Sequence, residues 1–327
     1  MATFTVIIPT YRRPTDLARC FNALSLQQRC PDVVRVVVRD SDTLTWDFLD
    51  EYAANCQITR EVMLPLVTTT VYEPGVIAAM NAAMDQTDTD FFAFTDDDAA
   101  PHPDWVARME AYFLADSQIV GVGGRDWVYV NGELEDGTAT VVGQVQWFGR
   151  MIGNHHIGVG GMREVDLLKG VNMAYRRSAV GDLRLDTNLW GTGAQVHFEV
   201  AFCLGLKQKG NLQGWKLIYD PAIAVDHYPA KRFDEDQRQS GDYVFNETAY
   251  LNLVHNETYV LLRYLPPLRR LVFLIWAVLM GTRSTFGLLQ WLRFIRRDGS
   301  LAHRKLLVAW RGRWAGIKTW WQARQKS

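Results

Sequence analysis

The stretch FFAFTDDD, residues 91–98, joins four consecutive apolar residues to three adjacent aspartates after a single threonine. The apolar run predicts a buried strand, which places the acids at its carboxyl end. Neighbouring carboxylates raise each other's pKa values, and Mg²⁺ or Mn²⁺ relieves that repulsion through hard oxygen ligands. If the extended geometry continues, Asp96 and Asp98 project to one side and Asp97 to the other. A solvated acidic turn is the alternative, and the stretch alone leaves both open.

The sequence before this stretch alternates strand-like apolar runs with helical patterns. The predicted strands lie near residues 5–10, 33–38, 63–71 and 91–94, and the predicted helices near 17–24, 46–54 and 76–84. Strands that alternate with helices predict a mainly parallel α/β sheet, whose ligands gather beyond the carboxyl ends of the strands. Acids at positions 40, 42 and 96–98 occupy these ends.

The chain after about residue 120 is rich in glycine, and we expect it to contain more loop. Strand-like stretches near residues 165–168, 217–219 and 223–225 and a helix near 195–209 are predicted within it. Asn246 and Asn256 each begin an N-E-T sequon, which we interpret as polar helix residues rather than as glycosylation sites.

The composition is that of a folded protein, with 48% apolar and 22% charged residues. It excludes a disordered, collagen-like or disulfide-scaffold chain. The four cysteines form no C-x-x-C pair, which predicts reduced thiols rather than a zinc site. The N-terminal sequence lacks the pattern of a signal peptide. We therefore expect a cytoplasmic protein.

The net charge of −1 hides a strong asymmetry along the chain. Residues 260–327 contain fourteen Lys and Arg against the single acid Asp298, and they hold six of the twelve tryptophans. A cationic, Trp-rich segment indicates contact with an anionic membrane surface or with nucleic acid. The two parts of the chain are therefore expected to meet different partners.

The pattern within this basic segment favours the membrane. An apolar run at residues 271–280 lies between Arg270 and Arg283, and a helix over that interval spans only about 18 Å of a hydrocarbon core of about 30 Å. Residues 304–321 predict a basic amphipathic helix whose apolar face carries tryptophans, which suits an interface better than stacking on bases. We expect a helix lying in the membrane interface and no nucleic-acid partner; packing of both segments on the catalytic domain is the alternative.

Taken in order, the motifs resemble those of the family 2 glycosyltransferases of GT-A fold. The resemblance covers residues 3–230 and rests on TVIIPTYRR at 5–13, RDSD at 39–42, EPG at 73–75 with Asn81, FTDDD at 94–98, GVNM at 170–173, GTG at 191–193 before HFE at 197–199, and DP at 220–221 before DH at 226–227. It implies an α/β GT-A fold with a mainly parallel central sheet. The domains expected are a catalytic domain, 1–230, and a helical, basic membrane-associating tail, 231–327. Within the first, residues 1–120 would bind the nucleotide sugar and 121–230 the acceptor.

The resemblance also implies a nucleotide-diphospho-sugar donor and assigns residues to it. The expected donor contacts are Pro9, Thr10, Tyr11, Arg12, Asp40, Glu73, Gly75, Asn81, Asp96 and Asp97. The expected acceptor contacts are Gly170, Asn172, Trp190, Gly191 and Gly193. A buried core tryptophan is the alternative for Trp190.

The same resemblance places Mn²⁺ or Mg²⁺ on the donor diphosphate, held by Asp96 and Asp98. His227 directly follows a strand and an acid, and its neutral imidazole makes it a further candidate ligand; an ordinary polar histidine is the alternative. Departure of the diphosphate leaves negative charge on the leaving group, which a bound cation neutralises.

An acceptor hydroxyl that attacks the anomeric carbon must lose a proton to a general base. By the resemblance, Glu199 is that base. Many relatives carry two adjacent acids here, but Val200 follows Glu199 and leaves it as the single candidate. Met80 stands where many relatives carry an arginine, which puts a basic contact to the donor from that position in doubt.

The sequence thus predicts a metal-dependent, inverting glycosyltransferase, peripheral on the cytosolic face of the cell membrane. Its acceptor would be a hydroxyl of a saccharide or lipid-linked saccharide, as in polysaccharide biosynthesis. A nucleotidyltransferase of sugar phosphates is one alternative, although residues 9–13 contain no glycine-rich loop. A catalytically inactive membrane-bound sugar-binding protein is the other, and the intact acids argue against it. Donor sugar, base, acceptor and oligomeric state stay open.

Overall fold

The computed structural model describes residues 2–59, 64–231, 233 and 245–326, and its core is an α/β sheet. The strands are β1 Phe4–Thr10, β2 Val33–Arg39, β3 Leu66–Val71, β4 Phe91–Phe94, β5 Ala99–Pro101, β6 Ile119–Val130, β7 Glu133–Leu134, β8 Gln144–Val145, β9 Met151–Ile152, β10 Arg163–Val165, β11 Met173–Arg176 and β12 Lys216–His227. The helices are α1 Pro14–Ser25, α2 Thr43–Thr59, α3 Val76–Asp85, α4 Trp105–Ala115, α5 Arg177–Val180, α6 Phe198–Lys209, α7 Glu247–Tyr264, α8 Pro267–Leu279, α9 Leu288–Asp298 and α10 Ser300–Lys326. A short 3₁₀ turn lies at His155–Ile157.

The central sheet has the strand order β10-β12-β6-β11-β4-β1-β2-β3. The half formed by β4, β1, β2 and β3 is parallel, and β11 runs antiparallel to both β4 and β6. The predicted strands at 5–10, 33–38 and 91–94 and the helices between them are confirmed. Met63, where the third strand was expected to begin, lies outside the described residues.

The first strands are buried because helices cover the sheet. Helix α1 buries Leu17, Cys20, Phe21 and Leu24, which recur at the spacing of one helical face. Residues 91–94 of β4 are buried throughout. A strand that is apolar on both faces belongs at the centre of such a sheet, and β4 lies between β1 and β11.

Strand β6 runs through the glycine-rich stretch where we expected loop, and that expectation is wrong for residues 119–130. A Cβ at Gly123 would lie 2.5 Å from the carbonyl oxygen of Asn172, and one at Gly124 would collide with that of Ile223. Strand β6 pairs with both β11 and β12. These glycines therefore permit close backbone approach within a central strand.

Residues 216–227 form the single strand β12, where we expected two strands on either side of Asp220-Pro221. The register against β6 shifts between Asp220 and Ala224. A bulge leaves some residues out of the ladder, so the missing N–H of proline costs no sheet hydrogen bond.

The chain divides into two compact units. The first comprises residues 1–144, 152–185 and 202–230, and the second 145–151, 186–201 and 231–327. The first contains the central sheet, and the second contains helices α7–α10. Packing thus groups residues 186–201 with the C-terminal helices.

Helices α7 and α10 of the second unit pack closely at two glycines of α10. A Cβ at Gly316 would lie 2.7 Å from the carbonyl oxygen of His255, and one at Gly312 would lie 2.9 Å from the Cβ of Val254. Nearby, the buried Arg313 donates hydrogen bonds to main-chain carbonyls at 285–286. The C-terminal helices therefore have a core of their own. No helix in the described part of the chain is long and apolar enough to cross a bilayer.

Candidate functional site

The three predicted metal-ligating residues meet at the carboxyl end of β4. One ligand atom each from Asp96, Asp98 and His227 lie within 4.8 Å of one another. The extended geometry does not continue past Phe94: residues 96–99 form a turn closed by the N–H of Ala99 and the carbonyl of Asp96, at 3.2 Å. The turn, rather than strand alternation, brings the two carboxylates to one place.

Pairing between β5 and β12 delivers His227 to this turn. Ala99 pairs with His227 in the antiparallel register, and the N–H of Tyr228 donates to the carbonyl of Asp98 at 2.9 Å. Asp98 Oδ1 is buried, without a hydrogen-bond donor among the described residues, and lies 3.5 Å from His227 Nε2. Two carboxylates and one imidazole at this spacing fit a divalent cation such as Mn²⁺ or Mg²⁺.

Asp97 is not one of the three residues of this cluster and is completely buried. Burial raises the pKa of Asp97 to about 8, although the nearby Arg13 acts in the opposite direction. Arg13 lies 3.1 Å from both Asp97 and Asp98. The carboxyl group of Asp97, which was expected to contact the donor, is enclosed in this structure and pairs with Arg13.

The other charged groups of the cluster hold one another in their ionised forms. Burial alone would raise the pKa of Asp98, but His227 and Arg13 outweigh it and lower the pKa to about 2. Burial would likewise lower the pKa of His227, but Asp126 and Asp98 raise it to about 9. The imidazole of His227 and the guanidinium of Arg13 therefore both favour the ionised form of Asp98.

The expected donor residues at the ends of β1 and β2 lie in neighbouring loops. The N–H of Arg12 donates to Asp42 Oδ2 at 2.7 Å, which ties the two loops together. Asp40 is exposed, and Asp42 is buried. Of the other expected donor residues, Arg12 and Glu73 are exposed, Pro9, Tyr11 and Gly75 are half-buried, and Thr10 is buried.

Two asparagines expected to touch ligands have their side-chain amides engaged by the protein. Asn81 donates to the carbonyl of Leu185 at 3.0 Å and accepts from its N–H at 2.8 Å. Asn172 is completely buried, accepts from the Trp105 indole at 2.9 Å and donates to two main-chain carbonyls. The side chain of Asn172, which was expected to contact the acceptor, therefore has no exposed surface in this structure. Gly170 is also buried.

The expected acceptor loop, residues 190–193, lies in the second unit. Trp190 is 39% exposed, and its ring stacks on His255 at a centroid distance of 3.9 Å and an interplanar angle of 10°. The exposed fraction excludes a fully buried core tryptophan. A cavity of about 430 Å³ adjoins this ring, and the residues that line it are uncharged: Thr187, Leu189, Trp190, Gly191, Thr192, Gln195, Thr248 and Asn252.

Glu199 is half-buried in the first turn of α6. The segment before it is conformationally unusual, since Gly191, Gln195 and His197 have φ values of 127°, 37° and 74°. Left-handed backbone at non-glycine residues is uncommon and marks a segment that surrounding contacts hold in place. Gly193 is buried.

A model of glycosyl transferase family 2 matches residues 5–184, more than half of the chain. The chain belongs to this family. Glycosyltransferase AglE of Haloferax volcanii is 24% identical to it over 231 residues, which cover 71% of this chain and 68% of that protein.

Solved glycosyltransferase structures share the fold. Mannosyltransferase PcManGT from Pyrobaculum calidifontis, in complex with GDP-Man and Mn²⁺, aligns with 98% of this chain and 88% of its own at a TM-score of 0.53 and 15% identity. S. aureus TarS 1-349, in complex with UDP, aligns with 99% and 92% at a TM-score of 0.54 and 17% identity. The chain is a glycosyltransferase, and the predicted GT-A fold is confirmed.

The structure adds two residues of this glycosyltransferase that the sequence reasoning missed. Arg13 follows β1, which is the parallel neighbour of β4. A basic side chain at this position therefore faces the acids at 96–98. The second residue is Asn256, for which the sequence pattern indicates only a polar helix residue. Its position within the buried run 253–262 of α7 was the available signal, because a buried amide needs partners.

Asn256 fixes both ends of the segment that precedes Glu199. It accepts from the N–H of Trp190 at 2.8 Å and donates to the carbonyls of Trp190 and Val196, each at 2.9 Å. One side chain therefore satisfies three main-chain groups that an irregular segment cannot pair by itself.

We expect Asn256→Ala to lower the free energy of unfolding by about 3 kcal/mol, because three main-chain groups lose their partner. Denaturant unfolding of the full chain measures this loss. Asn188→Ala is the matched control, since Asn188 is exposed, and it is expected to change stability by less than about 0.5 kcal/mol. Equal stability of the two variants would contradict the role of Asn256.

Proposed function

We propose that this glycosyltransferase is metal-dependent and inverting, and that it transfers a sugar from a nucleotide-diphospho-sugar to a hydroxyl of a saccharide or lipid-linked saccharide. The observation that carries the proposal is the convergence of Asp96, Asp98 and His227 beyond the end of β4. Ligands of open α/β sheets bind at that edge. The complexes of PcManGT with GDP-Man and Mn²⁺ and of TarS with UDP support a donor of this class.

The proposed roles follow from the chemistry of the side chains. Asp96, Asp98 and His227 would hold Mn²⁺ or Mg²⁺, which neutralises charge on the departing diphosphate when bound. The loops after β1 and β2, with Tyr11 and Asp40, would bind the base and ribose. Their half-buried and exposed positions leave both side chains accessible to a ligand.

On the acceptor side, Glu199 would remove the proton of the attacking hydroxyl as general base. The cavity beside Trp190 supports a saccharide as the acceptor. An indole face packs well against the apolar face of a sugar ring, and uncharged polar side chains suit hydroxyl groups. Its lining threonines, glutamine and asparagine supply such groups without charge.

A screen of nucleotide sugars against the full-length protein tests the proposed function. We expect that Mn²⁺ stimulates release of the free nucleoside diphosphate from at least one UDP-linked or GDP-linked hexose. Release of pyrophosphate from a nucleoside triphosphate and a sugar phosphate would instead show a nucleotidyltransferase. Binding of donor without any turnover, with every acceptor tried, would favour an inactive sugar-binding protein.

We further propose that the enzyme acts in the cytoplasm, peripherally on the inner face of the cell membrane. Helix α10 exposes the apolar residues predicted to face the membrane, with Leu307 57% and Trp314 71% exposed. Gly312 and Gly316 face α7 instead, and the buried Arg313 donates to the carbonyls at 285–286. A helix that packs through one side and leaves tryptophans on the other is suited to an interface.

Helices α8 and α9 extend this apolar and basic surface. Exposed leucines recur on α8 at positions 268, 271 and 279, with Ile275 between them. Helix α9 has no fully buried residue and combines exposed leucines at 289 and 292 with exposed arginines. Exposed apolar surface surrounded by arginine and lysine matches an anionic bilayer in both apolarity and charge.

We expect the full-length protein to sediment with liposomes that contain anionic phospholipid, and high salt to weaken this association only partly. Salt screens the contribution of the basic residues, about 1 kcal/mol each, but not that of buried indoles. Replacing Leu307, Trp310 and Trp314 together by glutamine should weaken binding at least about tenfold, since burial of each contributes about 1.5–3 kcal/mol.

Leu212→Gln is the matched control for this experiment, because Leu212 is 98% exposed and belongs to the first unit rather than to α8–α10. Unchanged sedimentation of the triple variant, or indifference of the wild type to lipid, would refute the membrane proposal. Point substitutions are preferable to removal of residues 260–327. That removal would delete α10 and leave α7 without its packing partner.

A further inference from the structure

Asp126 is a completely buried acid on β6 that faces the proposed metal ligand His227. Its Oδ2 lies 3.7 Å from His227 Nδ1 and 3.9 Å from Lys169 Nζ. Neither carboxylate oxygen has a hydrogen-bond partner in the part of the chain that the structure describes. A carboxylate removed from water in this way is costly unless a cation compensates it.

The strand pairing places this acid and the histidine on the same face of the sheet. Asp126 pairs with Val225 across the parallel β6–β12 ladder, and His227 is two residues beyond Val225. Residues two apart on a strand project to the same side. The sheet itself therefore directs both side chains to one place.

The imidazole of His227 consequently lies between two carboxylates. Its Nδ1 faces Asp126 at 3.7 Å, and its Nε2 faces Asp98 at 3.5 Å. Only one ring nitrogen of a histidine can bind a metal at this cluster, and it must be the one without a proton. The group that accepts from the other nitrogen fixes both the tautomer and the ring orientation.

We propose that Asp126 is a positioning residue for the metal site: it accepts the proton of His227 Nδ1 and so leaves the Nε2 lone pair directed at the Asp96–Asp98 carboxylates. The inference rests on the proposed metal dependence. Asp126 itself does not touch the ion or the donor. Its effect on the metal passes entirely through His227.

A purely structural role of Asp126 predicts a different result. If Asp126 served only to compensate the charge of Lys169, its replacement would lower stability without changing metal affinity. Glu257 provides the matched control for such loss. It is a buried acid of the second unit that accepts from Thr285 and lies outside the metal cluster.

The test is a Mn²⁺ titration of the full-length protein followed by the electron paramagnetic resonance signal of free Mn²⁺, with and without UDP or GDP. Asp126→Asn, with Asp126→Ser as a second variant, is expected to weaken Mn²⁺ binding by about 10- to 100-fold. Glu257→Gln is expected to leave Mn²⁺ affinity unchanged. Thermal unfolding of each variant separates loss of affinity from loss of fold.

A double-mutant cycle with His227→Ala identifies the path of the effect. If Asp126 acts through His227, Asp126→Asn should cause no further loss of affinity once His227 is alanine. Additive losses, or unchanged affinity in both Asp126 variants, would overturn the inference and leave the metal site standing. A wild type that binds no Mn²⁺ under any of these conditions would overturn both.

Discussion

Asp96→Asn is expected to reduce the rate of glycosyl transfer by about 10³-fold and to weaken Mn²⁺ binding. A cation that neutralises the leaving diphosphate contributes several kcal/mol to the transition state, and about 4 kcal/mol corresponds to a factor of 10³. Asp96 is a more specific site for this test than Asp98, because Asp96 is only half-buried whereas Asp98 is buried. Asp98 also accepts from the N–H of Ala230 at 2.9 Å and pairs with Arg13 at 3.1 Å.

Asp98→Asn should cause a similar loss of transfer together with lower stability, because it removes the negative charge that both Arg13 and His227 face. Steady-state release of nucleoside diphosphate and Mn²⁺ titration measure the two effects. Asp104→Asn is the control, because Asp104 pairs with Arg108 away from the cluster. Full activity of both Asp96 and Asp98 variants would refute the metal site.

Glu199→Gln is expected to lower transfer to the acceptor by about 10²- to 10⁴-fold while donor binding and Mn²⁺ binding persist. The amide is nearly isosteric with the carboxylate but cannot accept the proton of the acceptor hydroxyl. Because Glu199 is only half-buried, the substitution is not expected to disrupt α6. The kcat for transfer, with the dissociation constant of the donor measured separately, distinguishes catalysis from binding.

Glu164→Gln is the control for this second experiment, since Glu164 is exposed on β10. Transfer by Glu199→Gln at a rate near that of the wild type would exclude Glu199 as the base. Asp226 would then be the next acid to test. It lies one residue before His227 and 3.2 Å from His102.

The predictions that came from local pattern were accurate where one element buries its own apolar residues. The runs at 5–10, 33–38 and 91–94 became β1, β2 and β4, because short, mostly apolar runs are typical of strands that are buried on both faces of a parallel sheet. The pattern failed at β6, where glycine was interpreted as loop. The need for glycine there comes from Asn172 and Ile223, which are distant in sequence.

For the candidate site too, local pattern predicted some features, and contacts between distant residues decided the others. The sequence alone placed acids and a histidine at the ends of strands, and Asp96, Asp98 and His227 do converge. It could not show which of three adjacent aspartates is enclosed, because that depends on the turn after β4 and on Arg13. Asp97 is enclosed and paired with Arg13 in the structure.

The sequence by itself determined the strand and helix order of residues 4–94, the acidic edge of the sheet and the basic, apolar character of the C-terminal helices. Those properties depend on residue type and spacing within one element. The tertiary structure alone decided that Asp126 faces His227 and that Asn256 holds the segment from Trp190 to Val196. Both contacts join residues some 60 to 100 positions apart, and hydrophobic periodicity describes the face of an element without specifying which distant side chain meets it.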